Sequence, residues 1–282
     1  MKRVTTILAL CLLLCPLAIL NGCGQQKKSV KLQFKFDEGL TSIEDWTSKR
    51  QWKKWVNDSL VAEGTQDLEY VNHRLVKRVL PDGTSEHLLS LAWTKRSRIR
   101  KETIEVDTTR DSTSYSIMAL PNGRIVDVEL PPEKGRHNES YWKSYYEQSS
   151  PVMPSETISQ GHTWSQITKV LLDDEEVEAV VNYELKGFAS EKGYDCVMIE
   201  HSGNIIIPVG VDEGDATERH GVDKIETSGL FYFAYLEGVI ISSRERWLMK
   251  SEREALNEGV LEKQYMEMES VVGYTLRELV RP

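Results

Sequence analysis

Four cysteines, six histidines and two acidic runs are the residues best suited to chemistry in this 282-residue chain. Cys11, Cys15 and Cys23 crowd the amino end, and Cys196 stands alone in the apolar run Tyr194-Asp195-Cys196-Val197-Met198-Ile199. There it reads as a small buried hydrophobe, because apolar surroundings raise a thiol pKa and make it inert. His73, His87, His137, His162, His201 and His220 show no His-x-His or His-Glu-x-x-His spacing, so zinc has no support. Asp173-Asp174-Glu175-Glu176-Val177-Glu178 offers oxygen ligands to Ca²⁺, but it lies between two apolar runs and reads more plainly as a solvated hairpin tip. Asp212-Glu213-Gly214-Asp215 lacks the spacing and distal Glu of an EF-hand loop. No Gly-x-Ser-x-Gly elbow, phosphate-cradling Gly loop or Cys-x-x-Cys occurs. The expectation is a protein that is not an enzyme and has no metal or cofactor. A hydrolase whose site is assembled from distant residues is the remote alternative.

The amino end carries the sharpest pattern. Lys2 and Arg3 precede an uncharged stretch from Val4 to Leu20 that is interrupted by Pro16, the layout of an export signal. Seventeen residues are marginal for a spanning helix, which needs about 20. Leu20-Asn21-Gly22-Cys23 then resembles the lipobox of bacterial lipoprotein precursors. That resemblance implies cleavage between Gly22 and Cys23 and lipidation of Cys23. With Gly24 next, it implies the outer membrane where two membranes exist. An ordinary secretory signal or an uncleaved anchor helix shares the same charge and length pattern.

On this reading residues 1–22 are a signal-peptide helix and residues 23–29 a lipidated tether. The remainder holds 33 basic against 44 acidic residues, a net −11, which argues against a nucleic-acid partner. With Cys23 acylated no disulfide is available, so stability must come from a core.

The body of the chain reads as mainly β. Val30, Leu32, Phe34 and Phe36 alternate with polar residues as in a half-buried strand. Phe36-Asp37-Glu38-Gly39, Leu80-Pro81-Asp82-Gly83, Leu120-Pro121-Asn122-Gly123, Ser190-Glu191-Lys192-Gly193 and Tyr235-Leu236-Glu237-Gly238 each place Gly fourth, predicting bulged hairpin turns. Strands are expected over 114–120, 124–130, 230–235 and 239–247, with a long last strand over 265–279. The segment with Trp46, Trp52 and Trp55 also reads as strand.

A single domain over 30–282 is expected, a curved antiparallel sheet (half-barrel or β-sandwich-like) with one or few covering helices. Its halves, 30–130 and 151–282, are joined by a Pro-bounded helical insert, 131–150. Tyr141 with Tyr145 and Trp142 with Tyr146 share one face of that helix. Together with the three tryptophans they could line an apolar groove; filling the core is the plainer role for such a stripe.

Pro154, Ile158 and Gly161-His162-Thr163-Trp164 look like the "Pro, aliphatic, Gly-x-x-Trp" element of a broad set of bacterial lipoproteins of unknown function. Tyr183 to Phe188, Gly193 to Ile199, Gly229 to Phe233 and Glu237-Gly238 resemble the same set in order. The resemblance runs from Leu32 to about Trp247 and implies a curved sheet like the half-barrel of lipid-binding envelope proteins of the LolA and LppX kind. In those proteins an apolar concave face holds acyl chains. It carries over no catalytic residue.

The sequence thus points to a lipid-anchored membrane protein of the bacterial cell envelope, acting as a non-enzymatic binding or structural module. A carrier of lipid or another apolar ligand on the concave face is the alternative. Its expected partners are the membrane and an apolar ligand or envelope protein.

Overall fold

The structure, a computed structural model, describes residues 28–100, 103–109, 114–130, 146, 150–172, 175–209, 219–257 and 260–282. The signal and lipidation residues including Gly22 and Cys23, most of the 131–150 insert with Tyr141, Trp142 and Tyr145, and the acidic residues 173–174 and 212–215 lie outside them.

Fourteen strands are described: β1 (Ser29–Lys31), β2 (Thr41–Val56), β3 (Ser59–Val79), β4 (Ser85–Arg100), β5 (Thr103–Thr109), β6 (Ser114–Ala119), β7 (Ile125–Glu129), β8 (Thr157–Ser159), β9 (Thr163–Leu172), β10 (Glu175–Glu191), β11 (Tyr194–Val209), β12 (Arg219–Ala234), β13 (Val239–Asn257) and β14 (Val260–Val280). Twelve form one antiparallel sheet, ordered β7-β6-β4-β3-β2-β14-β13-β12-β11-β10-β9 with β5 on β4. It consists of two meanders, β2 to β7 and β9 to β14, joined where β14 pairs with β2 along Thr41 to Val56. The sheet is not closed: β7 and β9 are its ends. The short strands β1 and β8, one before each meander, pair only with each other. Among the described residues no helix is long and apolar enough to cross a membrane.

The turns follow backbone chemistry. In Leu80–Gly83 and Leu120–Gly123 the Gly amide donates to the Leu carbonyl at 2.9 Å, and the Gly φ is +86° and +94°. Proline presets the turn, and the Asp82 and Asn122 side chains accept the amides of Thr84 and Arg124. Two of the five expected turns are placed differently. The one at 190–193 sits one residue later: Lys192 and Gly193 both have positive φ in a two-residue hairpin between the paired Glu191 and Tyr194. Gly39 has positive φ, but its turn runs from Asp37 to Leu40 and joins no two paired strands. A further two-residue hairpin at Asn57-Asp58 uses side chains that tolerate the left-handed region.

The expected strand over 30–36 is corrected in part. Its alternation is right, with Val30 and Leu32 buried between exposed Lys31 and Gln33, yet only Ser29–Lys31 forms a ladder. Beyond Lys31 the chain crosses the base of the sheet. The Phe34 amide donates to Pro121 O and the Lys35 amide to Gly238 O, so this strap ties the β6–β7 hairpin to the β12–β13 turn.

The largest core cluster lies under the strap. Val30, Leu32, Met153 and Ile158 pack on Leu185, Val197, Ile199, Phe231 and Phe233 of β10 to β12. A second cluster, Leu89, Ile117, Ala119, Ile125 and Val128, occupies the base of the first meander with Phe36 and Tyr146 against it.

Candidate functional site

Inward-facing side chains of both meanders line a single cavity of about 570 Å³. Residues as far apart in sheet order as Ile117 on β6 and Tyr183 on β10 share it, which requires the sheet to curl around it. Phe34 and Phe36 of the strap help form its wall, and their rings stack at 5.8 Å.

Strand pairing sets the order of the lining. One transverse row reads Arg96, Leu68, Ser48, Val272, Glu245, Gly229, His201, Tyr183 and Trp164, each in register with the next. Two residues along every strand toward the base, the next row reads Thr94, Tyr70, Trp46, Tyr274, Ser243, Phe231, Ile199 and Leu185. Trp46 stacks on Tyr70 at 5.7 Å and meets Tyr274 edge-on at 4.9 Å. Trp46 thus belongs to the cavity wall, as does Tyr146, the one described residue of the four expected on the insert. The Tyr146 hydroxyl donates to that of Tyr115, and their rings lie 5.6 Å apart. Trp52 lies over Gly64, and Trp55 packs on Tyr265.

The apolar wall carries buried polar groups. Arg74 Nε lies 3.1 Å from Glu44 Oε1, which also accepts from Ser42 Oγ at 3.1 Å. Burial works against the Arg74 charge, but Glu44 and the phenols of Tyr274, Tyr115 and Tyr146 outweigh it and raise its pKa. His87, its Nε2 2.7 Å from Ser85 Oγ, is pushed down to about 3 by burial and by Arg74. His201 is pushed down to about 4 by burial, against the pull of Glu200. Burial raises the Glu245 pKa, and it raises that of Tyr183 beside it.

Nine buried side-chain atoms among the described residues lack a well-formed hydrogen bond, and seven belong to cavity-lining residues: Glu44, Trp46, Arg74 (whose Nε has only the ionic contact with Glu44), His87, Arg96, His201 and Thr227. Buried polar atoms are normally satisfied by protein or by ordered water, so this wall has hydrogen-bonding capacity that the protein itself does not fill. Periodicity alone does not reveal it, because a polar cavity face alternates just as a solvated face does.

His201 and Glu245 face each other across β12, Nε2 to Oε1 at 3.8 Å, because Gly229 between them has no side chain. A Cβ there would sit 2.4 Å from His201 Nε2 and 2.8 Å from Arg244 O. Gly229→Val is therefore expected to cost about 2–3 kcal/mol by overpacking, read as a lower urea midpoint with unchanged slope. A midpoint within error of wild type would mean the niche is loosely packed.

The remaining candidates resolve simply. The apolar runs flanking the acidic cluster form the β9–β10 hairpin, with Leu172 paired to Glu175. No group of three metal-ligating side chains occurs among the described residues. Cys196 is buried with Ala234, Ile241 and Leu276, and burial pushes its thiol up to about 11.

Fold and site together define an open antiparallel β protein with a polar-studded internal cavity. No known protein family matches the chain, and no curated protein matches it.

Proposed function

We propose that this chain is a lipid-anchored cell-envelope protein whose concave sheet face receives an amphipathic ligand, as a non-enzymatic binding module or carrier. The observation that carries the reading is the cavity of about 570 Å³, within the usual range for ligand sites, where unpartnered polar atoms converge on an otherwise apolar wall. The anchor rests on Leu20-Asn21-Gly22-Cys23. Lys28 lies at the base of the fold, its Nζ 4.5 Å from the Phe188 ring centroid, so Cys23 would hold the base within about 18 Å of the bilayer.

Two measurements test this. The chain from Gly24 onward, isolated without detergent, should carry a ligand visible by native mass spectrometry. Once emptied, it should enhance the fluorescence of an apolar naphthylamine dye. Neither a bound ligand nor dye binding would leave a structural module instead. Separately, Cys23→Ala should abolish labelling by an alkyne fatty-acid probe and leave an uncleaved precursor. Continued labelling would remove the anchor from the proposal.

A further inference from the structure

Of the two arginines on the cavity wall, Arg74 lies nearer the base in strand register, and it is under-used. Among the described residues its ionic partner is Glu44, 3.1 Å from Nε, with the phenols of Tyr274, Tyr115 and Tyr146 acting on it electrostatically, and about a third of its side chain remains accessible. A guanidinium carries five N–H donors in a fixed fork, so its terminal nitrogens are left to an outside acceptor. Trp46 Nε1, two residues along β2 from Glu44 on the same face, is a further buried donor without a partner. Arg96, six residues farther from the base in strand register, likewise has no ionic partner among the described residues. Donors outnumber acceptors here, and Arg74 and Arg96 against Glu44 leave one positive charge. Burial meanwhile drives Glu245 toward its uncharged form.

A cavity of about 570 Å³ lies in the range that takes one small ligand, and a single acyl chain with a small head is of that size. From Arg74 the wall continues away from the base past Asn72 to Tyr70, Leu68, Trp247 and Ile205, apolar surface for such a chain interrupted by Arg96 and Thr227.

We infer that the ligand is a long-chain carboxylate bound head first, its carboxylate held by the terminal nitrogens of Arg74 and its chain directed away from the strap. This rests on the ligand-binding reading above and specifies its substrate class. Two parallel N–H···O⁻ bonds account for preference over an uncharged head of equal length. Glu44, already engaged at the Nε edge, positions the fork.

The test uses the full chain in nanodiscs and a photoactivatable diazirine fatty acid, with labelled peptides read by mass spectrometry. Peptides of β3, β11 and β13 should be labelled. Oleate should suppress that labelling at concentrations at least tenfold lower than oleyl alcohol, which has the same chain without the charge. In Arg74→Gln the tenfold preference should vanish. Because that change strands Glu44, Arg74→Gln/Glu44→Gln is measured beside it and should lose the preference while keeping a cooperative melt. Labelling of the wall with oleate and oleyl alcohol equally effective would overturn the Arg74 assignment alone. Loss of the preference in Arg96→Gln but not in Arg74→Gln would also overturn it. Absence of any wall labelling would overturn the ligand-binding reading itself.

Discussion

Acidification from pH 7 to pH 4 is expected to cost the folded chain about 6 kcal/mol through two histidines, about 3 kcal/mol each. His87 and His201 are held neutral, at about 3 and about 4, by burial in the cavity wall, whereas an unfolded chain takes up their protons near 6.5. Below that value the unfolded state binds more protons than the folded one, so stability falls with pH until the folded values are reached. Glu86, held low first by its hydrogen bond from Lys77, adds to the loss. Glu245 opposes it, because a raised carboxyl pKa favours the folded state as acid is added. The groups facing the two imidazoles are Arg74 and Phe36 for His87, and Tyr183, Phe231 and Glu245 for His201. At about 2 °C per kcal/mol for a domain of this size, the melting temperature should fall by roughly 12 °C between pH 7 and pH 4. In His87→Gln/His201→Gln most of that fall should disappear. An equal fall in the double variant would assign acid sensitivity to carboxylates elsewhere.

Much of the fold is legible in the sequence because turn chemistry is local. Pro81-Asp82-Gly83 and Pro121-Asn122-Gly123 need no tertiary partner to specify their backbone, and both fold as read. Trp46, Trp52 and Trp55 all lie on β2, and 265–279 lies within β14. The misplacements arise where context overrides local preference. Leu32 to Phe36 has the alternation of a strand because one side is buried, but its backbone amides are taken by Pro121 and Gly238 at the base instead of by a ladder. The site was far less legible. Ser42, Glu44 and Trp46 alternate with Ile43, Asp45 and Thr47, so both faces of that stretch mix polar and apolar residues and neither declares itself the inside. Glu44 and Arg74 become partners only through the β2–β3 pairing, some thirty residues apart.

Phe233→Ala should be the most costly single truncation, about 3–5 kcal/mol. Phe233 is fully buried in the cluster beneath the strap, and its ring meets Phe34 edge-on at 5.2 Å. Removing it leaves a cavity between β12 and the strap and takes away the contact that seats Phe34, whose ring in turn stacks on Phe36. The denaturant midpoint should drop with little change in slope. Ile206→Ala, at an exposed position, should move it by less than about 0.5 kcal/mol. Loosening the strap should also expose backbone beside Lys31 and Lys35, so trypsin should cut there faster than in wild type under native conditions. If midpoint and cleavage both matched the Ile206→Ala control, the strap would be held by its backbone hydrogen bonds to Pro121 and Gly238 alone. If stability fell but cleavage did not, Phe233 would serve the sheet core without holding the base shut. Faster cleavage together with weaker dye binding would tie closure of the base to the cavity, since Phe34 and Phe36 are both strap and wall.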